Sequence, residues 1–222
     1  MSYLGARRVL DLEGTIPPVG GYLFAGHLTD GAPPAAGAST LTLGDLTIAG
    51  AILPGRGGTD SPDKPSFVFA GGYGWRTLLP APGASWSSPT SVRLSTVLGS
   101  LAAICGESFD APTEAKLGPS YGWAAGVRGR AVLADLVARS AISTWRVDPK
   151  TGRTTFAPWS TLGPADAHGR IEDRMLAFGG REVALDNAVA AWLPGATVQG
   201  VTIARVVFRE RAQELRAEVW DA

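Results

Sequence analysis

Glycine and proline interrupt the first ninety residues so often that no helix of ordinary length fits there. Prolines occur within residues 16–18, 31–34 and 53–55, and no apolar repeat of helical period lies between them. Proline removes a backbone donor and glycine weakens helices, so such a segment favours short strands joined by turns. We therefore predict a β-rich domain over residues 1–89.

Three segments of this part have the composition of strands. Residues 41–48 alternate apolar and polar side chains, with a break or bulge at residues 44–45. Residues 22–24 and 66–69 are rich in aromatic side chains, which favour strands. Apart from its prolines, the segment 54–65 contains only Gly, Arg, Thr, Asp, Ser and Lys, and it is predicted to form an exposed loop.

The composition changes after Pro89, where helical periodicity begins. Apolar residues recur at helical spacing from Leu94 to Ile104, which predicts an amphipathic helix beginning near residues 90–91 and ending at Gly106. A second short amphipathic helix is predicted over residues 131–141. We assign residues 90–222 to a mixed α/β domain, which either stands alone or shares one core with residues 1–89.

Two hairpin-like segments follow the helices. Residues 143–156 contain Pro149 and Gly152 at positions that suit a tight turn, so this segment is predicted to be a β-hairpin. Residues 196–220 are predicted to form two or three antiparallel strands. A helix over residues 205–217 is the alternative, and the run Val206-Val207-Phe208 opposes it.

These elements define an α+β fold class that is mainly antiparallel β, with small barrel or sandwich-like units and two short amphipathic helices. The 20 basic and 20 acidic residues cancel, so the chain lacks the basic surface that nucleic-acid binding requires. Charged residues make up only 18% of the chain, which favours a surface that faces partner proteins. No apolar run of about 18 residues occurs, and the polar start lacks the pattern of a signal peptide; we expect no membrane span.

Candidate catalytic groups are few. The histidines are His27 and His168, and neither lies near a Gly-x-Ser-x-Gly segment. Cys105, in the last turn of the first helix, is predicted to be buried and inert. With two histidines and one cysteine the chain lacks a zinc-ligand set.

The remaining motifs are also weak. Glu107, Asp110 and Glu114 form an acidic cluster, which a glycosidase could use but which is more typical of a solvated loop. The glycine-rich strings 55–58 and 71–74 lack the Gly-Lys-Ser/Thr ending of a phosphate-binding loop. We expect no enzymatic activity, no metal and no cofactor.

The seven tryptophans are the most informative residues. A single tryptophan is more often part of a core than of a surface, but so many in a chain with little charge favour assembly with other proteins. Exposed aromatic rings would also suit carbohydrate binding. The predicted interface residues are Trp75, Trp86, Trp123, Trp159, Tyr73 and Arg76.

The order of segments in the second part resembles a known family. The helix at 92–107, the helix at 130–139 and the hairpin at 144–154 are similar to the small inserted domain of baseplate hub proteins. These hubs belong to tailed, contractile bacteriophages and related contractile injection systems. Residues 193–200 and 203–207 resemble the barrel strand that crosses the central channel of such hubs. The resemblance spans residues 90–220.

This resemblance implies a structural protein of the virion, located in the tail baseplate and assembled in the host cytoplasm. It implies a ring of three copies that joins the tail tube to the central spike, with wedge proteins as further partners. It supplies no catalytic residues. Family members are commonly longer than 222 residues, so a full hub, one part of a split hub and an adjacent baseplate subunit stay open.

Two other function classes remain as alternatives. A tail-associated cell-wall-degrading enzyme would need converging carboxylates, or Cys105 paired with His168. A glycan-binding module for receptor recognition would use Trp75 or Trp86 as an exposed ring.

Overall fold

The computed structural model describes residues 1–54, 59–61, 64–110, 115–142, 144–156, 170–175, 180–184, 189–212 and 214–221. The chain divides into two compact units. Unit 1 comprises Met1–Gly71, Pro149–Gly152 and Trp159–Ala222, and unit 2 comprises Gly72–Asp148 and Arg153–Pro158. The boundary predicted at residue 89 therefore lies inside unit 2. The change in amino-acid composition at this residue does not indicate where the chain passes from one unit to the other.

Unit 1 is built on a closed barrel of six antiparallel strands. Hydrogen bonding runs in the order β1-β4-β5-β7-β3-β2, and β2 pairs again with β1. A short strand, β6, pairs with β7 outside this ring. The strands of this part are β1 Ser2–Leu4, β2 Arg7–Ile16, β3 Leu23–Leu28, β4 Gly37–Leu43, β5 Leu46–Ile52, β6 Thr59–Ser61 and β7 Lys64–Ala70.

Tight turns and alternating side chains explain the barrel. The turn between β4 and β5 falls at Gly44, whose φ of 59° suits glycine, so the break in the apolar pattern is a hairpin turn. Along the strands, alternate side chains such as Phe24, Leu41, Ile48 and Phe69 are fully buried. The prediction of an exposed loop over residues 54–65 is wrong in part, because residues 59–61 form strand β6. Residues 55–58 and 62–63 of this segment lie outside the described residues.

The C-terminal part of unit 1 extends the same sheet. Strand β15 pairs with the second half of β2 and then with β16, and β16 pairs with β13, which pairs with β12. The antiparallel strands predicted near the C-terminus are thus confirmed, and the alternative helix is wrong. The elements here are β12 Arg170–Met175, β13 Arg181–Ala184, a 3-10 helix Val189–Trp192, β14 Thr197–Val198, β15 Val201–Arg211 and β16 Glu214–Asp221.

Unit 2 contains both helices and two small antiparallel sheets, β8–β9 and β10–β11. The apolar faces of the helices meet in one core that also contains Trp75 and Leu79. The elements are a 3-10 helix Tyr73–Arg76, β8 Ala84–Ser87, α1 Leu94–Cys105, β9 Ser120–Trp123, α2 Gly129–Arg139, β10 Arg146–Val147 and β11 Thr154–Thr155. The predicted α+β class is therefore confirmed.

Helix α1 begins later than predicted. Ser91 does not cap the helix, because its hydroxyl donates to the carbonyl of Gly118 at 3.3 Å and accepts from the Gly118 N–H at 3.1 Å. The N–H of Val92 also bonds to that carbonyl, at 2.7 Å, which keeps the chain extended. The predicted end is confirmed: Gly106 takes a φ of 66° and its N–H bonds to the carbonyl of Ala102.

The other elements predicted in this part are also confirmed, with small shifts. Helix α2 begins two residues earlier than predicted and ends at Arg139. In the hairpin, Gly152 takes a φ of 69° and the N–H of Asp148 bonds to the carbonyl of Arg153 at 2.9 Å. None of the helices in the described part of the chain is long and apolar enough to cross a bilayer.

Candidate interaction surface

The 3-10 helix at the start of unit 2 carries three predicted interface residues, which differ in exposure. Trp75 is only 1% exposed, and its indole Nε1 donates to the Thr154 hydroxyl at 2.8 Å. Arg76 is exposed, and its guanidinium lies 5.6 Å from the ring centroid of the half-buried Tyr73. Trp75 therefore anchors the short helix in the core, while Tyr73 and Arg76 face solvent.

A second group of aromatic side chains lies on the β8–β9 sheet. Trp86 and Trp123 have ring centroids 4.7 Å apart at an angle of 55°, and Trp86 is in register with Tyr121. Trp123 is 9% exposed, whereas Trp86 is half-buried. We call Trp86, Tyr121 and Trp123 the β8–β9 aromatic cluster; its solvent-accessible member is Trp86.

Polar contacts fix the position of Tyr121 in this cluster. Its hydroxyl donates to Asp135 Oδ2 at 2.9 Å, and Asp135 accepts from Arg139 Nε at 2.9 Å. Burial, and then the bond to the Asp135 carboxylate, raise the pKa of Tyr121, so the phenol stays a neutral donor. Sequence reasoning missed this group, although the i, i+4 spacing of Asp135 and Arg139 on a helix is a signal for the ion pair.

The other tryptophans divide between core and partial exposure. Trp192 is fully buried in unit 1. Trp220 is half-buried, and the guanidinium of Arg205 lies 4.0 Å from its ring centroid, a favourable cation–π geometry. Trp159 lies outside the described residues. An interface role for the predicted residues thus stays a prediction.

The structure describes two of the nucleophile and base candidates, Cys105 in unit 2 and His27 in unit 1. Cys105 is buried, and burial followed by the charge of Glu107 raises its pKa to about 11. The thiol is therefore protonated at neutral pH and is a poor nucleophile. In unit 1, His27 Nδ1 lies 2.8 Å from Asp11 Oδ1. His168 lies outside the described residues.

The described members of the acidic cluster, Glu107 and Asp110, make different contacts. Burial raises the pKa of Glu107, and a 2.6 Å bond from the Gly74 N–H partly opposes this rise. Asp110 instead pairs with Arg153 Nε at 2.6 Å. Glu114 lies outside the described residues. Within the described ranges, no three His, Cys, Asp or Glu side chains are grouped so as to hold a metal ion.

Comparison with known proteins gives results at the level of structure. No protein-family profile matches the sequence, and no curated protein matches it. The fold, however, is similar to the 43 kDa tail protein of prophage MuSo2 from Shewanella oneidensis, with a TM-score of 0.67 and 11% identity. That match covers 98% of this chain and 95% of the tail protein.

Two further solved structures are similar. The tail protein of Neisseria meningitidis MC58 matches with a TM-score of 0.61 and 12% identity, over 98% of this chain and 94% of the other. The E. coli c3393 protein, a component of the type VI secretion system described as similar to T4 tail proteins gp27 and gp5, matches with a TM-score of 0.62 and 12% identity. That match covers 100% of this chain and 77% of the c3393 protein.

These matches confirm the resemblance to tail and injection-system proteins at the level of fold. They also widen it, because the sequence resemblance began near residue 90 whereas the structural match spans 98–100% of the chain. The barrel of residues 2–70 is therefore part of the shared architecture.

Proposed function

We propose that this chain is a structural subunit of a phage-type tail baseplate or a related contractile injection system. The observation that carries the proposal is the likeness of nearly the whole chain to two tail proteins and a type VI secretion component. Its place would be that of a hub or a hub-adjacent subunit, joining the tail tube to the central spike.

Partner binding is the activity that this role requires. The neutral net charge and the many tryptophans support assembly with other copies of the chain, as a ring of three by analogy, and with tube, spike and wedge proteins. Tyr73, Arg76 and Trp86 are the accessible interface candidates, and Trp159 stays one by prediction. Trp75 and Trp123 would support these surface residues from the core. The location would be the virion tail baseplate, after assembly in the host cytoplasm.

The proposed role is non-enzymatic. It is supported by the protonated, buried thiol of Cys105 and by the separate engagements of Glu107 and Asp110. A peptidoglycan-clearing assay with the purified protein tests this point. Clearing that is lost on changing Glu107, Glu114 or Cys105 would instead establish the cell-wall-degrading alternative.

Mass measurement in solution tests the assembly role. The purified chain, alone and mixed with neighbouring tail proteins, should form complexes of defined stoichiometry, and Trp86→Ala should weaken them by about tenfold or more, as expected for an interface tryptophan. Ile104→Ala is the matched control, because Ile104 is an exposed apolar residue of the same unit. A monomer under all these conditions would contradict the proposal.

A glycan-binding role is the second candidate, and the half-buried Trp86 ring supported by Trp123 favours it. Sugar rings stack on such aromatic faces, since their apolar C–H groups meet the ring. Binding on a glycan array that disappears in Trp86→Ala, with no change in assembly, would support this role over the first.

A further inference from the structure

The charges of the chain cancel overall but are not distributed evenly between its two units. Unit 2 contains eight lysine and arginine residues against five aspartate and glutamate residues. Two of these basic residues form ion pairs, Arg139 with Asp135 and Arg153 with Asp110. A surface of unit 2 that carries unpaired cations is therefore expected to attract an acidic partner.

Two segments of unit 2 pair with each other directly after the 3-10 helix Tyr73–Arg76. Leu78 lies opposite Arg128 in an antiparallel bridge, and the N–H of Gly129 bonds to the carbonyl of Thr77 at 3.0 Å. Residues that lie opposite each other in such a bridge have their side chains on the same side. Leu78 and Arg128 therefore belong to one surface.

The same pairing brings two further arginines close by. Arg76 directly precedes Thr77, and Arg130 directly follows Gly129. The two segments approach closely here, because a Cβ atom at Gly129 would lie 3.6 Å from the carbonyl carbon of Trp75, the atom bonded to the nitrogen of Arg76. All four side chains are exposed, that of Leu78 to 60%. We call them the arginine–leucine surface: Arg76, Leu78, Arg128 and Arg130.

The three arginines of this surface form no ion pair with a carboxylate in the part of the chain that the structure describes. The guanidinium of Arg76 lies over the ring of Tyr73, and the first turn of α2 contains no acidic residue. The carboxylate of Glu107, which contacts the same 3-10 helix, accepts instead from the Gly74 N–H at 2.6 Å. Like charges that lie close together repel each other, so a negatively charged partner would stabilise this surface.

The exposed leucine distinguishes between two kinds of anionic partner. The phosphates of a nucleic acid would contact the arginines but would leave Leu78 in water. A protein segment can contact both, because its carboxylates form paired hydrogen bonds with guanidinium groups and its apolar side chains remove the leucine from water. The surface therefore fits a protein segment better than a nucleic acid.

We propose that the arginine–leucine surface binds an acidic segment of a partner protein, in which carboxylates flank one large apolar side chain. The carboxylates bind the guanidinium groups of Arg76, Arg128 and Arg130, and the apolar side chain packs on Leu78. This inference rests on the assembly role proposed above, for which Arg76 is already an interface candidate, and it names the chemistry of the partner.

Fluorescence anisotropy with the full purified chain tests this surface. The probe is a labelled peptide in which glutamates flank a central leucine, compared with the same peptide carrying glutamines in place of the glutamates. At low salt the glutamate peptide should bind about tenfold more tightly or better, and Arg128→Gln or Arg130→Gln should each lower its affinity about fivefold. Arg93→Gln is the matched control, because Arg93 is also an exposed arginine immediately before a helix of unit 2; it should change the affinity less than about twofold.

Two further variants test the charge and the leucine separately. When Arg128→Glu and Arg130→Glu are combined, a peptide with lysines in place of the glutamates should bind more tightly than the glutamate peptide, which reverses the preference of the parent chain. Both positions are exposed, so the fold should be retained, which circular dichroism checks. Leu78→Ser should remove the advantage of the leucine peptide over a peptide with a central serine.

Equal affinity of the glutamate and glutamine peptides, or equal effects of Arg93→Gln and Arg128→Gln, would overturn the proposal. A single-stranded DNA that binds as tightly as the glutamate peptide, with no effect of Leu78→Ser, would also overturn it, because the surface would then be a general site for polyanions. These results leave the assembly role to the mass measurement of complexes. A chain that binds the glutamate peptide but stays monomeric in that measurement would contradict the assembly role and support the surface.

Discussion

Trp75 and Thr154 lie 79 positions apart in the chain, yet the indole of the first donates a 2.8 Å hydrogen bond to the hydroxyl of the second in the core of unit 2. Replacing Thr154 by Val keeps the shape of the side chain but leaves the indole N–H unpaired. We expect the free energy of unfolding to fall by about 1–3 kcal/mol, measured by urea denaturation.

The neighbouring threonine provides the control for this bond. Thr155 Oγ1 is buried and has no hydrogen-bond partner in the described part of the chain. Thr155→Val therefore removes an unsatisfied hydroxyl and should leave stability unchanged or higher. Equal losses in the two variants would contradict the assigned role of the Trp75–Thr154 bond.

Gly14 and Phe24 face each other across β2 and β3, and the glycine makes room for the ring. A Cβ atom at residue 14 would lie 1.9 Å from Phe24 Cδ1, and Phe24 is fully buried. Gly14→Ala should therefore destabilise the protein by about 1–3 kcal/mol. In a double-mutant cycle, Phe24→Leu should recover part of this loss.

A glycine in helix α1 should respond with the opposite sign. A Cβ atom at Gly99 meets nothing within 4 Å, and this position is exposed in the middle of the helix. Gly99→Ala should stabilise the protein by about 1 kcal/mol through helix propensity. Thermal melting of Gly14→Ala and Gly99→Ala under one condition measures both effects. The melting temperature should fall in the first variant because of the steric conflict, and rise in the second because the helix loses a flexible residue.

Glu107 makes stability depend on pH. Burial raises its pKa above the ordinary value of 4.5, so the folded chain holds this proton more tightly than the unfolded chain does. The stabilisation that comes from this more tightly held proton is complete at pH values below 4.5. It is lost as the pH rises through the raised pKa of Glu107. In Glu107→Gln, the free energy of unfolding should vary less over this window, as measured by urea denaturation at a series of pH values. An equal variation of the free energy of unfolding with pH in Glu107→Gln and in the parent chain would contradict this role of Glu107.

Cys105 should react slowly in the native protein. Its pKa rises from 9.0 to about 11, which lowers the thiolate fraction roughly 100-fold at neutral pH, and burial restricts access further. Labelling with a thiol-reactive disulfide should be at least about 100-fold slower in buffer than in denaturant. Native labelling at the denatured rate would contradict the burial of this side chain.

Local patterns predicted the elements of unit 2 well. The apolar spacing of α1, the glycine at its end and the turn containing Pro149 and Gly152 depend on neighbouring residues, and each has the predicted form. The start of α1 could not be predicted in this way. It is fixed by the bonds of Ser91 to Gly118, a residue distant in sequence, and no local signal encodes that contact.

Local sequence patterns also could not predict the closure of the barrel or the burial of each tryptophan, because both depend on contacts between residues that are distant in sequence. Strand β2 was missed because the bulge at Leu10 and Gly14 interrupt its alternation, and its partners come from distant segments. Trp75 and Trp86 have similar glycine- and proline-rich surroundings in the sequence, yet one is buried and the other is half-buried.

The positions of the barrel strands in the sequence determine when each is synthesised. All six strands of the closed ring lie between Ser2 and Ala70, so the ribosome synthesises every strand of the ring before it reaches unit 2. The short helix that contains Trp75 emerges immediately afterwards, but the acceptor for its indole, Thr154, is synthesised 79 residues later. The Trp75–Thr154 bond of the second core can therefore form only after all strands of the ring have been synthesised.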